Sequence, residues 1–86
     1  MNINELIAII KNKLEKEIII QDIKIQDKSF LHKDHKGHQE GKFHLKIVIK
    51  SDELVKLNKI MSTKRIYNIL DFELKEHIHS IQILLN

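Results

Sequence analysis

Apolar residues recur first at helical spacing. Ile3, Leu6, Ile7, Ile10 and Leu14 share one stripe, with Glu5, Lys11, Lys13 and Lys16 largely off it, which predicts an amphipathic helix over Ile3 to Lys16. From Ile18 to Gln26 the period shortens to two. Ile23 and Ile25 alternate with Asp22, Lys24 and Gln26, the pattern of a strand with one buried face, and Asp27, Lys28 and Ser29 end it. From Ser29 to Lys42 the run SFLHKDHKGHQEGK has almost no apolar content and no usable period, and it holds both glycines of the chain, which marks a surface loop.

Alternation then returns. Phe43, Leu45, Ile47 and Ile49 point one way and His44, Lys46 and Lys50 the other, with Val48 as the exception, so a second strand is expected. Ser51 followed by Asp52 and Glu53 reads as a helix N-cap with acidic residues in the first turn, where the helix dipole favours negative charge. An interrupted helical region follows. Ile60, Tyr67, Leu70 and Leu74 fit one face of a helix from about Asn58 to Lys75. Ile81, Ile83 and Leu85 alternate with Ser80 and Gln82 in a third strand. The order is helix, two strands, helical region, strand: an α+β class in which helices cover one face of a small mixed sheet.

Composition narrows the class. Eighty-six residues, 42% hydrophobic and 31% charged, support a single domain over 1–86 with one core. No apolar run approaches the ~20 residues that span a bilayer, and no leader pattern is present, so a cytoplasmic protein without membrane contact is expected. Zero cysteines exclude disulfides and any thiolate ligand from this chain. The net charge of +3 permits nucleic-acid contact without demanding it. Of six histidines, four (His32, His35, His38 and His44) fall within thirteen consecutive residues.

A connection from the second strand through a helix to the third makes the two strands parallel, so their starts lie at one end of the sheet. That topology brings the His-rich loop and His79 to the same rim. Imidazole suits zinc, iron, copper or nickel, and the H-x2-H-x2-H spacing lets a loop offer at least one nitrogen. Closed structural zinc sites commonly include cysteine, so a sphere completed by a partner fits this chain better. In Rieske centres two histidines hold one iron of a [2Fe-2S] cluster, which shows that imidazole can replace thiolate there. A solvated loop accounts for the same composition. His79 shares parity with Ile81 and Ile83, as a core-edge histidine would; His44 falls on the solvent face and His77 at a helix end, where neither needs a function.

Two segments resemble the BolA family. Ser29 to Asp52, SFLHKDHKGHQEGKFHLKIVIKSD, is similar to the family's central signature, a serine leading into a His- or Cys-bearing loop, then a His-Phe-Lys strand and Val-Ser. Ile66 to Ile83, IYNILDFELKEHIHSIQI, resembles its later helix and Ile-His-Ala-Leu-Ser-Ile strand. The resemblance implies an αββααβ fold like a type II KH domain, with a three-stranded mixed sheet. It also implies a monothiol glutaredoxin partner and a [2Fe-2S] cluster held by the glutaredoxin cysteine and glutathione on one side and by histidines of this chain on the other. His79 matches the family's C-terminal ligand, and His32 best matches the loop ligand, with His35 and His38 close enough to serve. The chain is then expected to be a monomer without cofactor when alone and a heterodimer with its partner.

The alternative implied by the family is a DNA-binding transcriptional regulator using Lys56, Lys59, Lys64 and Arg65 against phosphates. It is weakened where Ser62, Thr63 and Lys64 stand in place of the family's Arg-His-Arg, and where Lys56 replaces a glycine. The glycine-bracketed loop of an RNA-binding KH module is missing too. An enzyme is the least supported class, since no nucleophile with a paired base, phosphate-cradling loop or carboxylate pair is evident. Zinc storage by the loop alone is a further option.

Overall fold

The computed structural model describes residues 1–29 and 42–86. Its elements are α1 (Ile3–Glu17), β1 (Asp22–Asp27), β2 (Phe43–Lys50), α2 (Asp52–Val55), α3 (Lys59–Ile69), α4 (Asp71–Glu76) and β3 (Ile78–Leu85). The sheet runs β1-β2-β3, with β1 antiparallel and β3 parallel to β2. This is the expected mixed sheet, and the region between β2 and β3 is three helical pieces rather than two.

One face of the sheet is covered. Leu45, Ile47 and Ile49 of β2 pack with Leu6, Ile10 and Leu14 of α1, Leu54 of α2, and Ile66 and Leu70 of the α3 region, all fully or nearly fully buried. Burying each such side chain contributes about 1.5–3 kcal/mol before the entropy cost of ordering it. Ile23 and Ile25 flank this layer from β1, and Ile81, Ile83 and Leu85 from β3. Lys13 of α1 ties down α4 through the buried carboxylate of Glu73 at 2.7 Å.

Caps set the helix starts. Asn2, Ser51 and Asn58 accept from the N–H groups of Glu5, Leu54 and Met61, which satisfies donors that each helix leaves free. Ser51 does more: its hydroxyl donates to the Ile19 carbonyl at 2.7 Å, joining the end of β2 to the segment after α1.

Two expectations need correction. The first strand begins at Asp22; Ile18 is the buried C-cap of α1 and Ile19 is 69% exposed, so the Ile18–Ile20 run is a connection. The stripe proposed for the later helix holds at Leu70 and Leu74 but not at Ile60 and Tyr67. Ile60 is 71% exposed and Tyr67 is exposed, whereas Ser62, Ile66 and Leu70 face the core. The reason lies with Ser62, whose hydroxyl lies 2.9 Å from both the Leu54 and Asn58 carbonyls; a satisfied polar residue takes a core position that hydrophobicity alone would not assign.

Candidate functional site

The rim where β2 and β3 begin departs from regular pairing. Phe43 pairs with Ile78, but the register then shifts and His44 pairs with Ser80, leaving His79 as an extra residue in β3. Such a bulge sets two residues of one strand against one of the other. Here both meet the same imidazole: His44 Nδ1 lies 2.6 Å from Ser80 Oγ, and the His44 and His79 rings stand 4.8 Å apart between centroids, tilted by 48°. His44 is 5% exposed, whereas His79 is exposed.

Both ends of the His-rich loop are fastened to this rim. The His44 N–H donates to Ser29 Oγ (3.1 Å), the Lys28 N–H donates to the His44 carbonyl (2.7 Å), and the Ser29 N–H donates to the Asp27 carboxylate (2.9 Å). On the other side, the Phe43 N–H donates to the His77 carbonyl at 2.9 Å. His32, His35 and His38 lie outside the described residues.

Two sequence-based assignments change. The parity that linked His79 to Ile81 and Ile83 is broken by the bulge, so His79 is an exposed side chain rather than a core-edge one. His44 occupies the face away from the helices, as alternation requires, yet it is buried among the rim residues instead of solvated. Sequence reasoning therefore missed it as a site residue. Its significance depends on which residue it pairs with across strands, information that periodicity does not carry. His77, by contrast, stands as expected at a helix end, as the C-cap of α4, with its ring edge-on to Phe72 at 5.9 Å.

Chemically the rim offers one accessible imidazole braced by a second. The His79 ring is exposed, and among the described residues its contact is with the His44 ring. Among the described residues no three His, Cys, Asp or Glu side chains gather into a metal cage.

The basic residues sit at the other end of β3. Lys56, Lys59 and Lys64 are exposed, but Arg65 is committed inward: Nη1 pairs with Glu53 Oε2 at 2.9 Å and Nη2 donates to the Glu17 carbonyl at 2.6 Å, joining α3 to the end of α1. Around the lysines the surface is apolar, with Val55, Leu57, Ile60 and Met61 exposed.

With this geometry in hand, the likeness to known proteins is consistent along the chain. The family model described as BolA-like protein matches residues 14–86. A curated relative from Haemophilus influenzae, the DNA-binding transcriptional regulator BolA, is 32% identical over 75 residues, spanning 87% of this chain and 70% of that protein. Among solved structures, the BolA domain of SufE1 from Arabidopsis thaliana superposes with a TM-score of 0.76 at 29% identity, covering 92% of this chain and 87% of that one. BolA1 from Arabidopsis thaliana gives a TM-score of 0.77 at 26% identity over the same shares. A core of this arrangement, a match over most of the length and a relative at this identity together place the chain in the BolA family.

Proposed function

We propose that the chain is a non-enzymatic adaptor that binds a monothiol glutaredoxin and lends His79, with one of His32, His35 or His38, to a [2Fe-2S] cluster bridging the two proteins. The observation that carries this reading is the exposed His79 ring, set on a β-bulge against the buried His44 at the rim that fastens both ends of the His-rich loop. When bound, the cluster would supply transferable, redox-active iron.

The residues of this chain would do the rest. His79 offers an imidazole nitrogen from a strand, so the backbone that carries it is already ordered before ligation. His44, fixed by Ser80, limits the tilt of the His79 ring, in the way outer-shell groups orient metal ligands elsewhere. Ser29 fastens the start of the loop beside them. Having no thiol, the chain leaves the sulfur ligands to the partner.

Adding the protein to a cluster-loaded monothiol glutaredoxin should change the visible absorption and circular dichroism as imidazole replaces sulfur ligation, with a 1:1 complex by size. Spectra that stay those of the glutaredoxin alone, with no complex, would overturn the reading. Nitrogen-15 shifts of the histidine rings would then name the second ligand.

A second reading, DNA binding, is favoured by the printed name of the Haemophilus influenzae relative and by the exposure of Lys56, Lys59 and Lys64. Its test is a duplex-DNA mobility shift at low salt. Phosphate contacts would make any binding fall steeply as salt is added.

A further inference from the structure

The two edges of the sheet are built differently. β1, the edge of sequence DIKIQD, carries Asp22, Lys24 and Asp27, charges of the kind that discourage pairing with another strand. β3, the opposite edge, has sequence IHSIQILL and no Asp, Glu, Lys or Arg. Among the described residues, β2 is the only strand bonded to β3, so the outer row of β3 backbone groups has no strand partner.

The surface continues past this edge. Val55, Leu57, Ile83, Leu84 and Leu85 line an open groove of about 370 Å³, with Lys59 at its border. At the other end of β3, α4 ends on Glu76, which is exposed and has no ion-pair partner among the described residues.

We infer that the free edge of β3 is a self-association surface on which a second copy of this chain pairs antiparallel, making a continuous six-stranded sheet. About a two-fold axis at Gln82, Ser80 faces Leu84 and Ile81 faces Ile83. Each of these pairs lies on one face of the sheet, as antiparallel pairing requires. No like charges meet across the seam. The antiparallel sense also brings Glu76 of one copy toward the Lys59 border of the groove in the other, Lys75 beside it being paired with Asp71, and a two-fold axis repeats this contact. The bulge at His79 ends regular pairing before the imidazole rim, so self-association leaves that rim open.

Sedimentation velocity on the full chain tests this, with amide NMR over the same series. The dimer fraction should rise between about 10 µM and 1 mM, as expected for a contact held chiefly by one strand pair. Concentration-dependent shifts should fall on Ser80 to Leu84 and not on β1. Gln82→Lys, an exposed change that sets two ammonium groups together at the axis, should weaken dimerisation about tenfold. Lys24→Gln on the β1 edge should leave it unchanged. A chain that remains monomeric throughout would overturn the inference, as would a dimer indifferent to Gln82→Lys or with its shifts elsewhere. Monomeric protein that instead takes up a synthetic Ser80–Asn86 peptide on β1 or on the helices would also overturn it. None of these results bears on His79 ligation, which is read separately from the cluster spectra.

Discussion

The two ends of β3, roughly 20 Å apart by strand rise, are both rich in groups that could carry a positive charge, yet they are organised in opposite ways. At the start of the strand, polar groups hold one another: Ser29 holds the His44 backbone, Ser80 holds the His44 ring, and that ring braces His79. At the far end, Lys56, Lys59 and Lys64 stand on an apolar surface, and the guanidinium best suited to a bidentate contact, Arg65, is spent within the fold. An oriented imidazole and unoriented lysines suggest different tasks. On the proposed reading the first serves as a specific ligand, while the second supplies at most a diffuse field.

The largest expected effect tests that contrast directly. If His79 is a ligand as proposed, His79→Ala should abolish the mixed-ligand spectrum with cluster-loaded glutaredoxin, a loss of about 100-fold or more in retention. The pair Lys59→Ala and Lys64→Ala should leave the spectrum unchanged. If instead the lysine pair abolishes complex formation while His79→Ala does not, the roles of the two ends are reversed.

Next is Ser80→Ala, which removes one hydrogen bond of the His44 ring and leaves His79 unchanged in sequence. Cluster retention should fall about tenfold, as for an outer-shell change, and stability by about 0.5–1 kcal/mol for the lost part-buried hydrogen bond. A variant that loses stability but retains the cluster fully would reduce His44 and Ser80 to packing. At the other end, Ser62→Ala should cost about 1–2 kcal/mol in thermal or urea unfolding, since the Leu54 carbonyl loses a buried donor, with no effect on cluster spectra.

These same residues show what was legible beforehand. The strands β2 and β3 and the helix α1 were readable because their stripes are long and apolar, and the parallel sense of β2 and β3 followed from the helical crossover between them. Ser51 was readable because capping is local chemistry, settled within three residues. Ser62, Ile60 and His44 were not. Ser62 takes a core position only because two carbonyls arrive from α2 and from the turn before α3, and Ile60 yields the core as a consequence. His44 is buried because a bulge in a strand 35 residues later turns two side chains toward it. Arg65 looked like a phosphate contact for the same reason: its partners Glu53 and the Glu17 carbonyl are not neighbours in sequence.

Arg65 and Lys64 also supply the smallest effect and the finest test of the contrast. If duplex DNA binds at all, replacing Lys64 by Gln should reduce the slope of log K against log salt by about 0.9, the share of one released counterion. Arg65→Met should leave that slope unchanged and instead lower stability by about 0.5–1 kcal/mol. The figure is modest because the Arg65 and Glu53 side chains are 37% and 34% exposed, and water screens what remains. Equal slopes lost by the two variants would mean that the guanidinium leaves Glu53 and the Glu17 carbonyl to reach a phosphate. The basic end would then be organised on demand, and the distinction between a built rim and a diffuse one would no longer hold.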